Sequence, residues 1–255
     1  MPPHQFGFQP KLGCFHALKR LCNLFIDADK SGGTLALGTY DVSKAFDSLL
    51  RPQAMNELLN RGVSVDLVRP LLYMYRHMKA KIRIPGSNLL TDGYIPIHIG
   101  VKQGAVTSPT VYNNATFPAQ CQLSSCCIYK GTDLSILCYA DDVFNTSRTI
   151  SGLEKCFLEI CKNYSDIGLS LNAEKCDVLI FNEIDSTRSD NISIDLNGTE
   201  VNPCVKLKYL GLPIGKNLKK TRLLMLERME TKIRRAYGTI VSSQFHLNST
   251  VLPYI

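Results

Sequence analysis

Long apolar runs are missing from this 255-residue sequence, and so is any recognisable secretory signal. No stretch reaches the roughly 18 consecutive apolar residues that a membrane-spanning helix needs. The chain begins Met1-Pro-Pro-His-Gln, without a basic segment followed by an apolar one. We therefore expect an intracellular, soluble protein with no membrane partner. The sequence does not distinguish the nucleus from the cytoplasm.

The cysteine spacing of a zinc site is also missing, although ten cysteines are present. Cys121 and Cys126 are separated by four residues, as are Cys156 and Cys161, and no pair has the two-residue gap of a zinc knuckle. In a chain without a secretory signal, most cysteines are expected to be reduced, buried and structural.

The chain carries a formal net charge of +7, which permits a polyanionic partner without requiring one. Its basic residues are concentrated around 79–83 and between 206 and 235. A solvated surface would explain either cluster equally well. Charge alone therefore leaves nucleic-acid binding open.

Helical and extended patterns are interleaved along the chain without a regular alternation. The spacing predicts helices over 12–28, 51–61, 65–78, 109–121, 151–168 and 219–237, with Ser151 as an N-cap. It predicts strands over 34–41, 79–84, 94–99, 134–139, 143–145, 178–181 and 205–214, and a hairpin over 192–201 around Asn197-Gly198. This pattern favours an α+β fold, with an antiparallel sheet and helices on one face, over a doubly wound fold.

Two adjacent carboxylates, Asp141 and Asp142, follow Tyr139-Ala140 at a predicted turn between apolar strands. Neighbouring carboxylates repel each other at such a place unless a cation is bound. Carboxylate oxygens are ligands that Mg²⁺ takes in proteins. The pair is therefore a candidate metal site, and an ordinary turn favoured by Asp propensity is the alternative.

A third carboxylate, Asp41, comes at the end of the predicted buried strand 34–41. If that strand is a sheet neighbour of the Asp141 hairpin, the carboxylates would meet. Three carboxylates could then hold the two metal ions that act together in phosphoryl transfer. A role for Asp41 as a helix N-cap is the alternative.

A glycine-framed loop, residues 100–109, precedes a predicted helix and contains Gln103 and Gly104. Such a loop allows backbone amides to approach a phosphate or a base closely. Its spacing is not that of a P-loop or of a dinucleotide-binding fingerprint.

These segments, taken together, resemble a known family. Residues 41–47, 100–109 and 139–142 look like the three core palm motifs of reverse transcriptases, in the family's order. Three further segments, 168–176, 207–211 and 4–8, resemble the fourth palm motif, the primer grip and the end of a fingers motif. The resemblance covers about residues 4–215, and the wording is most similar to retrotransposons without long terminal repeats.

The resemblance implies a right-hand polymerase palm with partial fingers and the start of a helical thumb. The implied divisions are partial fingers over 1–34, palm over 35–215 with a fingers insertion at about 50–100, and the start of the thumb or a connection over 216–255. Intron-encoded and telomerase-like proteins share the core motifs. The chain is expected to be a piece of a longer element.

The resemblance also implies catalytic roles. Asp41, Asp141 and Asp142 would bind two Mg²⁺ ions, for which Mn²⁺ is a possible substitute, and activate the primer 3′-hydroxyl. Lys175 would protonate or neutralise the leaving pyrophosphate, with a plain surface lysine as the alternative.

The remaining implied roles concern substrates. Phe46 would exclude a ribose 2′-hydroxyl and so select dNTPs, unless it is an ordinary core residue. Contacts with the incoming nucleotide or template base would come from Gln103 and Gly104. The primer terminus would be positioned by Tyr209, Leu210 and Gly211.

The expected function is RNA-directed DNA synthesis on an RNA template from a DNA primer and dNTPs. One departure concerns triphosphate binding, since Gln9 stands where the family commonly has an arginine; Lys11 or Arg20 could compensate. The alternatives are an inactive nucleic-acid-binding remnant and a domesticated palm with a structural role. The oligomeric state is not fixed by the sequence.

Overall fold

The computed structural model describes residues 4–183 and 193–251. Its helices are α1 (Cys14–Ser31), α2 (Ala45–Ser48), α3 (Arg51–Asn60), α4 (Val65–Arg76), α5 (Ser108–Cys121), α6 (Ile150–Ser165) and α7 (Leu218–Val251), with a 3₁₀ turn at Ala173–Lys175. The strands of the main sheet are β1 (Leu35–Ser43), β6 (Ile136–Tyr139), β7 (Asp142–Ser147), β8 (Ser170–Leu171) and β9 (Asp177–Phe181). Four hairpins complete the fold: β2 (Lys79–Ala80) with β3 (Ile95–Pro96), β4 (Ile128–Tyr129) with β5 (Thr132–Asp133), β10 (Ile194–Leu196) with β11 (Thr199–Val201), and β12 (Lys206–Tyr209) with β13 (Leu212–Gly215).

The main sheet is antiparallel, and β1 lies at its centre. β7 pairs with β1 on one side and with β6 beyond it. On the other side, β9 pairs with the first half of β1 and β8 with its end. Because β1 has neighbours on both sides and is covered on both faces, its sequence is an apolar run, as expected for a fully buried strand.

Alternate residues of the strands point into two separate cores. Ala36 and Tyr40 of β1 join one core with α5 and α6, whereas Leu35 and Leu37 join the other with α1 and the β12–β13 hairpin. The predicted α+β sheet is therefore observed. Helices lie on both faces, where the sequence pattern had favoured one.

Several predicted details are wrong in the described residues. Thr149, not Ser151, caps α6, because the Thr149 hydroxyl accepts a hydrogen bond from the Gly152 N–H at 3.0 Å. The predicted strand 205–214 is the β12–β13 hairpin. The predicted strands 79–84 and 94–99 shrink to two residues each in β2 and β3.

The Asn197-Gly198 hairpin is confirmed, with both turn residues at positive φ, 57° and 84°, as a type I′ turn requires. Its predicted first residue, 192, lies outside the described residues, as do residues 252–255 of the predicted thumb. Among the described helices, none is long and apolar enough to span a bilayer.

Candidate active site

The three predicted carboxylates lie together at one end of the main sheet. Asp41 of β1 is paired directly with Asp142, the first residue of β7. Side chains so placed on one face of an antiparallel pair have Cβ atoms about 5 Å apart. Asp141 belongs to the two-residue turn between β6 and β7, since Tyr139 pairs with Asp142. The sheet thus brings all three carboxylates to one corner, and Asp41 is a strand residue rather than a helix N-cap.

Burial and mutual repulsion together shift the pKa of one carboxyl at this corner. Burial raises the pKa of Asp142, the neighbouring Asp141 and Asp41 carboxylates raise that pKa further, and Lys208 of β12 opposes them. Like charges placed opposite each other across a sheet are destabilising. The corner therefore concentrates negative charge that a bound cation would relieve.

Lys175 supplies a positive charge to the same corner. Its Nζ lies 3.4 Å from Asp41 Oδ2, in a pair whose side chains are 66% and 48% exposed. An ion pair this exposed contributes little to stability. Lys175 can therefore leave the Asp41 carboxylate and bind another anion with little loss of stability. This is compatible with the role that the resemblance implies.

The donor chemistry of the corner fits a hard divalent cation, because Mg²⁺ and Mn²⁺ favour carboxylate oxygens. Asp41 and Asp142 would hold it from adjoining strands and Asp141 from the turn. In residues 4–183 and 193–251, no group of three or more His, Cys, Asp or Glu side chains is already arranged around one point. The site is therefore a set of suitable ligands rather than a closed cage.

Phe46 lies beside this corner at the start of α2. It is half-buried, and its ring stacks on the buried Tyr112 of α5, with centroids 5.0 Å apart and planes inclined by 22°. The Phe46 carbonyl accepts a hydrogen bond from the Val101 N–H at 2.7 Å. The Phe46 ring is thus packed against α5, and the Phe46 backbone is hydrogen-bonded to the start of the 100–109 loop.

Gln103 and Gly104 lie exposed at the tip of that loop. Gln103 Nε2 donates to Asp47 Oδ2 at 3.1 Å, so Asp47 orients the amide. Gly104 has a φ of +79°, and nothing lies within 4 Å of where its Cβ would be. The need for glycine there comes from backbone conformation.

The segment that resembles a primer grip is the turn of the β12–β13 hairpin. Tyr209 is buried, with its ring on Phe144 and its hydroxyl donating to the Leu137 carbonyl at 3.1 Å. Leu210 and Gly211 form the two-residue turn, at φ values of 44° and 82°. Tyr209 therefore anchors the hairpin to the sheet, and the turn that follows it is what the hairpin presents.

The residues considered for triphosphate binding lie near the N-terminal segment. The Gln9 Oε1 atom is buried without a hydrogen-bond partner in the described structure. Lys11 is exposed. Arg20 is engaged elsewhere, with its guanidinium 4.9 Å above the Phe6 ring.

Two residues at the site were not found by sequence reasoning. Gln5 forms hydrogen bonds with Ala140 in the carboxylate turn, a contact that spans 135 positions. The buried Arg51 donates to four carbonyl groups, those of Tyr75, Ile97, Ile99 and Gly100. These hydrogen bonds hold the segment that leads into the 100–109 loop. Gln5 lies in the segment 4–8 that resembles a fingers motif, but the contacts of both residues have no local signal, because periodicity and motif spacing do not report contacts between distant segments.

Comparison with known proteins places this geometry in a family. The chain is 28% identical over 257 aligned positions to the RNA-directed DNA polymerase from the mobile element jockey of Drosophila melanogaster, covering 95% of this chain and 26% of that protein. It is 26% identical to the Pol polyprotein from the R2DM retrotransposable element of the same species, covering 68% of this chain and 16% of the relative.

The fold is shared with a solved telomerase. The structure of telomerase from Candida tropicalis in complex with a fragment of telomeric RNA superposes with a TM-score of 0.56 at 12% identity, covering 84% of this chain and 33% of that one. The chain thus spans about a quarter of jockey and a third of the telomerase. The profile of reverse transcriptases (RNA-dependent DNA polymerases) matches residues 1–214, and the chain therefore belongs to the reverse transcriptase family.

Proposed function

We propose that this chain is the nucleotidyl-transfer domain of an RNA-directed DNA polymerase from a non-LTR type of retrotransposon. The observation that carries the proposal is the direct pairing of Asp41 with Asp142 at the turn that holds Asp141. The three carboxylates repel one another, and this repulsion contributes to the raised pKa of Asp142. Such a cluster is suited to bind a ligand that brings positive charge.

The carboxylates Asp41, Asp141 and Asp142 are proposed to hold two divalent ions, Mg²⁺ or Mn²⁺. Bound there, the ions would supply charge neutralisation at the attacking 3′-hydroxyl and at the leaving pyrophosphate. The chain's own part is to hold the three carboxylates at one corner, on strands and a tight turn rather than on mobile loops. Lys175 is proposed to attend the leaving group, because its ammonium already lies against this corner.

The proposed substrates are an RNA template, a DNA primer and dNTPs. Phe46 is proposed to exclude the ribose 2′-hydroxyl, because the Tyr112 ring beneath it leaves it little room to move aside. Gln103 and Gly104 would meet the nucleotide or its template base. The turn Leu210-Gly211, anchored by Tyr209, would position the primer end.

The domain division expected from the sequence is proposed with it. Partial fingers would comprise 1–34, the palm 35–215 with a fingers insertion at about 50–100, and the start of a thumb or connection 216–255. In support, β1 begins at Leu35, β13 ends at Gly215 and the long helix α7 begins at Leu218.

Primer extension by the purified chain tests the proposal. With an RNA template, a DNA primer, Mg²⁺ and dNTPs, the chain should extend the primer, and Asp141→Asn should reduce the rate by about 1000-fold. Asp166→Asn, an exposed carboxylate after α6, is the matched control and should extend normally. Salt-sensitive RNA binding with no extension at any metal concentration would instead identify a nucleic-acid-binding remnant.

A further inference from the structure

The turn that holds Asp141 has an unfavourable backbone conformation. Ala140 has a φ of 56°, whereas Asp141 is not at positive φ. That is the pattern of a type II′ turn, whose first central position normally takes glycine. A residue with a side chain is held in such a conformation only where its surroundings enforce it. Something other than local propensity must therefore hold this turn.

Both polar backbone groups of Ala140 are bound by one side chain. Gln5 Oε1 accepts a hydrogen bond from the Ala140 N–H at 2.8 Å, and Gln5 Nε2 donates to the Ala140 carbonyl at 3.3 Å. Gln5 Oε1 also accepts from the Gly7 N–H at 2.9 Å. Gln5 is fully buried, so these bonds form away from water, where leaving the partners unpaired would be costly.

The segment that carries Gln5 is itself fixed to the sheet. The Cys138 N–H donates to the His4 carbonyl and the Phe6 N–H donates to the Cys138 carbonyl, both at 2.8 Å, so that Gln5 forms a parallel bridge with Cys138 of β6. The buried Asn113 of α5 donates from Nδ2 to the Gly7 carbonyl at 2.8 Å. Backbone hydrogen bonds of the residues before and after Gln5 thus fix the position from which its side-chain amide reaches Ala140.

Close packing completes the contact. A Cβ at Gly7 would lie 2.5 Å from the Ala140 nitrogen and 3.0 Å from the Tyr139 carbonyl carbon. Real Cβ atoms do not approach backbone atoms so closely, and the obstacle is the turn itself rather than a flexible side chain. Gly7 therefore allows the N-terminal segment to lie directly against the carboxylate turn.

We infer that Gln5 is a positioning residue of the active site, which clamps the Ala140 peptide so that the Asp141 and Asp142 carboxylates are presented beside Asp41. The inference rests on the proposed function, because it assigns a task to a residue that touches neither substrate nor metal. It gives the Gln5-Phe6-Gly7 segment a role at the metal-binding turn. Groups that orient metal ligands in this way typically change metal affinity or activity by about 10- to 100-fold when removed.

The test compares two buried glutamines in the full chain. Gln5→Met keeps the length and flexibility of the side chain but removes all three hydrogen bonds. Gln120→Met is the matched control, because Gln120 is equally buried and donates to the hydroxyl of Tyr164 on α6 at 3.2 Å. Both variants should lose folding stability. Only Gln5→Met should change the metal site.

Mn²⁺ binding, followed by the loss of the free-ion paramagnetic resonance signal, is the first readout because it needs no turnover. We expect Gln5→Met to weaken Mn²⁺ binding by about 10-fold or more, and Gln120→Met to leave it unchanged. The second readout is the Mg²⁺ concentration for half-maximal primer extension, which should rise in the same variant. If Gln5→Met does not fold, Gly7→Ala displaces the same turn and should weaken Mn²⁺ binding likewise.

The outcomes separate this inference from the proposed function. If the wild-type chain extends no primer but Gln5→Met binds Mn²⁺ more weakly than the wild type does, the clamp would be sustained and polymerase activity would be rejected for this chain. Equal Mn²⁺ affinity in wild type and Gln5→Met, or equal weakening by both glutamine variants, would overturn the clamp. A wild-type chain that binds no Mn²⁺ would also overturn it, because there would be no metal site to position.

Discussion

The main sheet and the segment 77–107, which lies between α4 and α5, are built in opposite ways. Strands β1, β7 and β9 pair over many residues, and both of their faces are buried. In the segment 77–107 the two strands are two residues long, and large apolar side chains are exposed; they are Ile82, Ile84, Leu89, Leu90, Tyr94, Ile95, Ile99 and Val106. The proposed metal ligands belong to the sheet, whereas Gln103 and Gly104 belong to the exposed segment.

This difference separates two tasks in the proposed reaction. Carboxylates that must be held against their own repulsion need a rigid support, and the sheet with the Gln5 clamp provides it. Residues that admit and release nucleotides need access, and an exposed loop provides that. We therefore expect changes in the sheet to affect turnover or folding, and changes in the 77–107 segment to affect nucleotide affinity.

The largest expected contrast in stability comes from a pair of identical substitutions. Leu37→Ala removes a fully buried side chain from β1 and should lower the free energy of unfolding by about 3 kcal/mol. Leu89→Ala removes a side chain that is 66% exposed and should change it by less than about 0.5 kcal/mol. Urea unfolding of both variants measures the contrast. Similar losses would show that the 77–107 segment is packed as tightly as the sheet.

Arg51 of α3 ties both ends of the segment 77–107 to the helices α3 and α4, and its substitution should loosen that segment while leaving the main sheet intact. The Arg51 guanidinium donates to the Tyr75, Ile97, Ile99 and Gly100 carbonyls, and a lysine ammonium cannot reproduce that planar fork. Arg51→Lys should destabilise the fold by about 2 kcal/mol and speed limited proteolysis within 77–107. The exposed Arg69→Lys of α4 is the control. Unchanged proteolysis would mean that Arg51 does not secure this segment.

Gln103→Ala tests whether the 77–107 segment affects nucleotide affinity. Removing the amide that Asp47 orients should raise the KM for dNTP by about 3- to 10-fold, with little change in kcat. Steady-state extension at varied dNTP concentration separates the two constants. The control is Gln122→Ala, an exposed residue after α5. A fall in kcat at unchanged KM would place Gln103 in the chemical step and weaken the division of tasks.

The smallest effect concerns pH and the carboxylate corner. Because the folded-state pKa of Asp142 is raised, the folded chain holds its proton more tightly than the unfolded chain does. This carboxyl therefore penalises folding above its raised pKa, and the penalty disappears as pH falls toward 3.8, the ordinary value. Asp142→Asn should raise the melting temperature at pH 7 and raise it less at pH 4. An equal gain at both pH values would contradict the assigned repulsion.

The sheet was largely predictable from the sequence, and the segment 77–107 was not. β1 is buried on both faces, which leaves an apolar run ending near Asp41, and the Tyr139–Asp142 turn separates two such runs. The meeting of the carboxylates followed once β1 and β7 were assumed to be neighbours. By contrast, the alternation of residues 79–84 suggested one strand, but its large apolar side chains Ile82 and Ile84 are exposed. The β2–β3 ladder therefore stops after two residue pairs, and Arg83 pairs with Leu90 instead.

Two further features escaped prediction for physical reasons. The turn between β12 and β13 places Leu210 at positive φ, which a leucine rarely adopts, so the sequence read as one strand. The Gln5 clamp depends on a contact between residues 135 positions apart. Tertiary packing determines both the Leu210 conformation and the Gln5 contact, and local sequence propensity predicts neither.

The most direct test of the account is the single-turnover rate of primer extension by Asp41→Asn at saturating dNTP. We predict that the rate falls by about 1000-fold and is not restored by more dNTP, because the metal ions that Asp41 is proposed to hold would no longer neutralise the charges of the reaction. Under the same conditions, Gln103→Ala should recover near wild-type turnover. Extension by Asp41→Asn at the wild-type rate, or its recovery at high dNTP, would contradict the claim that the chemistry resides at the end of the sheet.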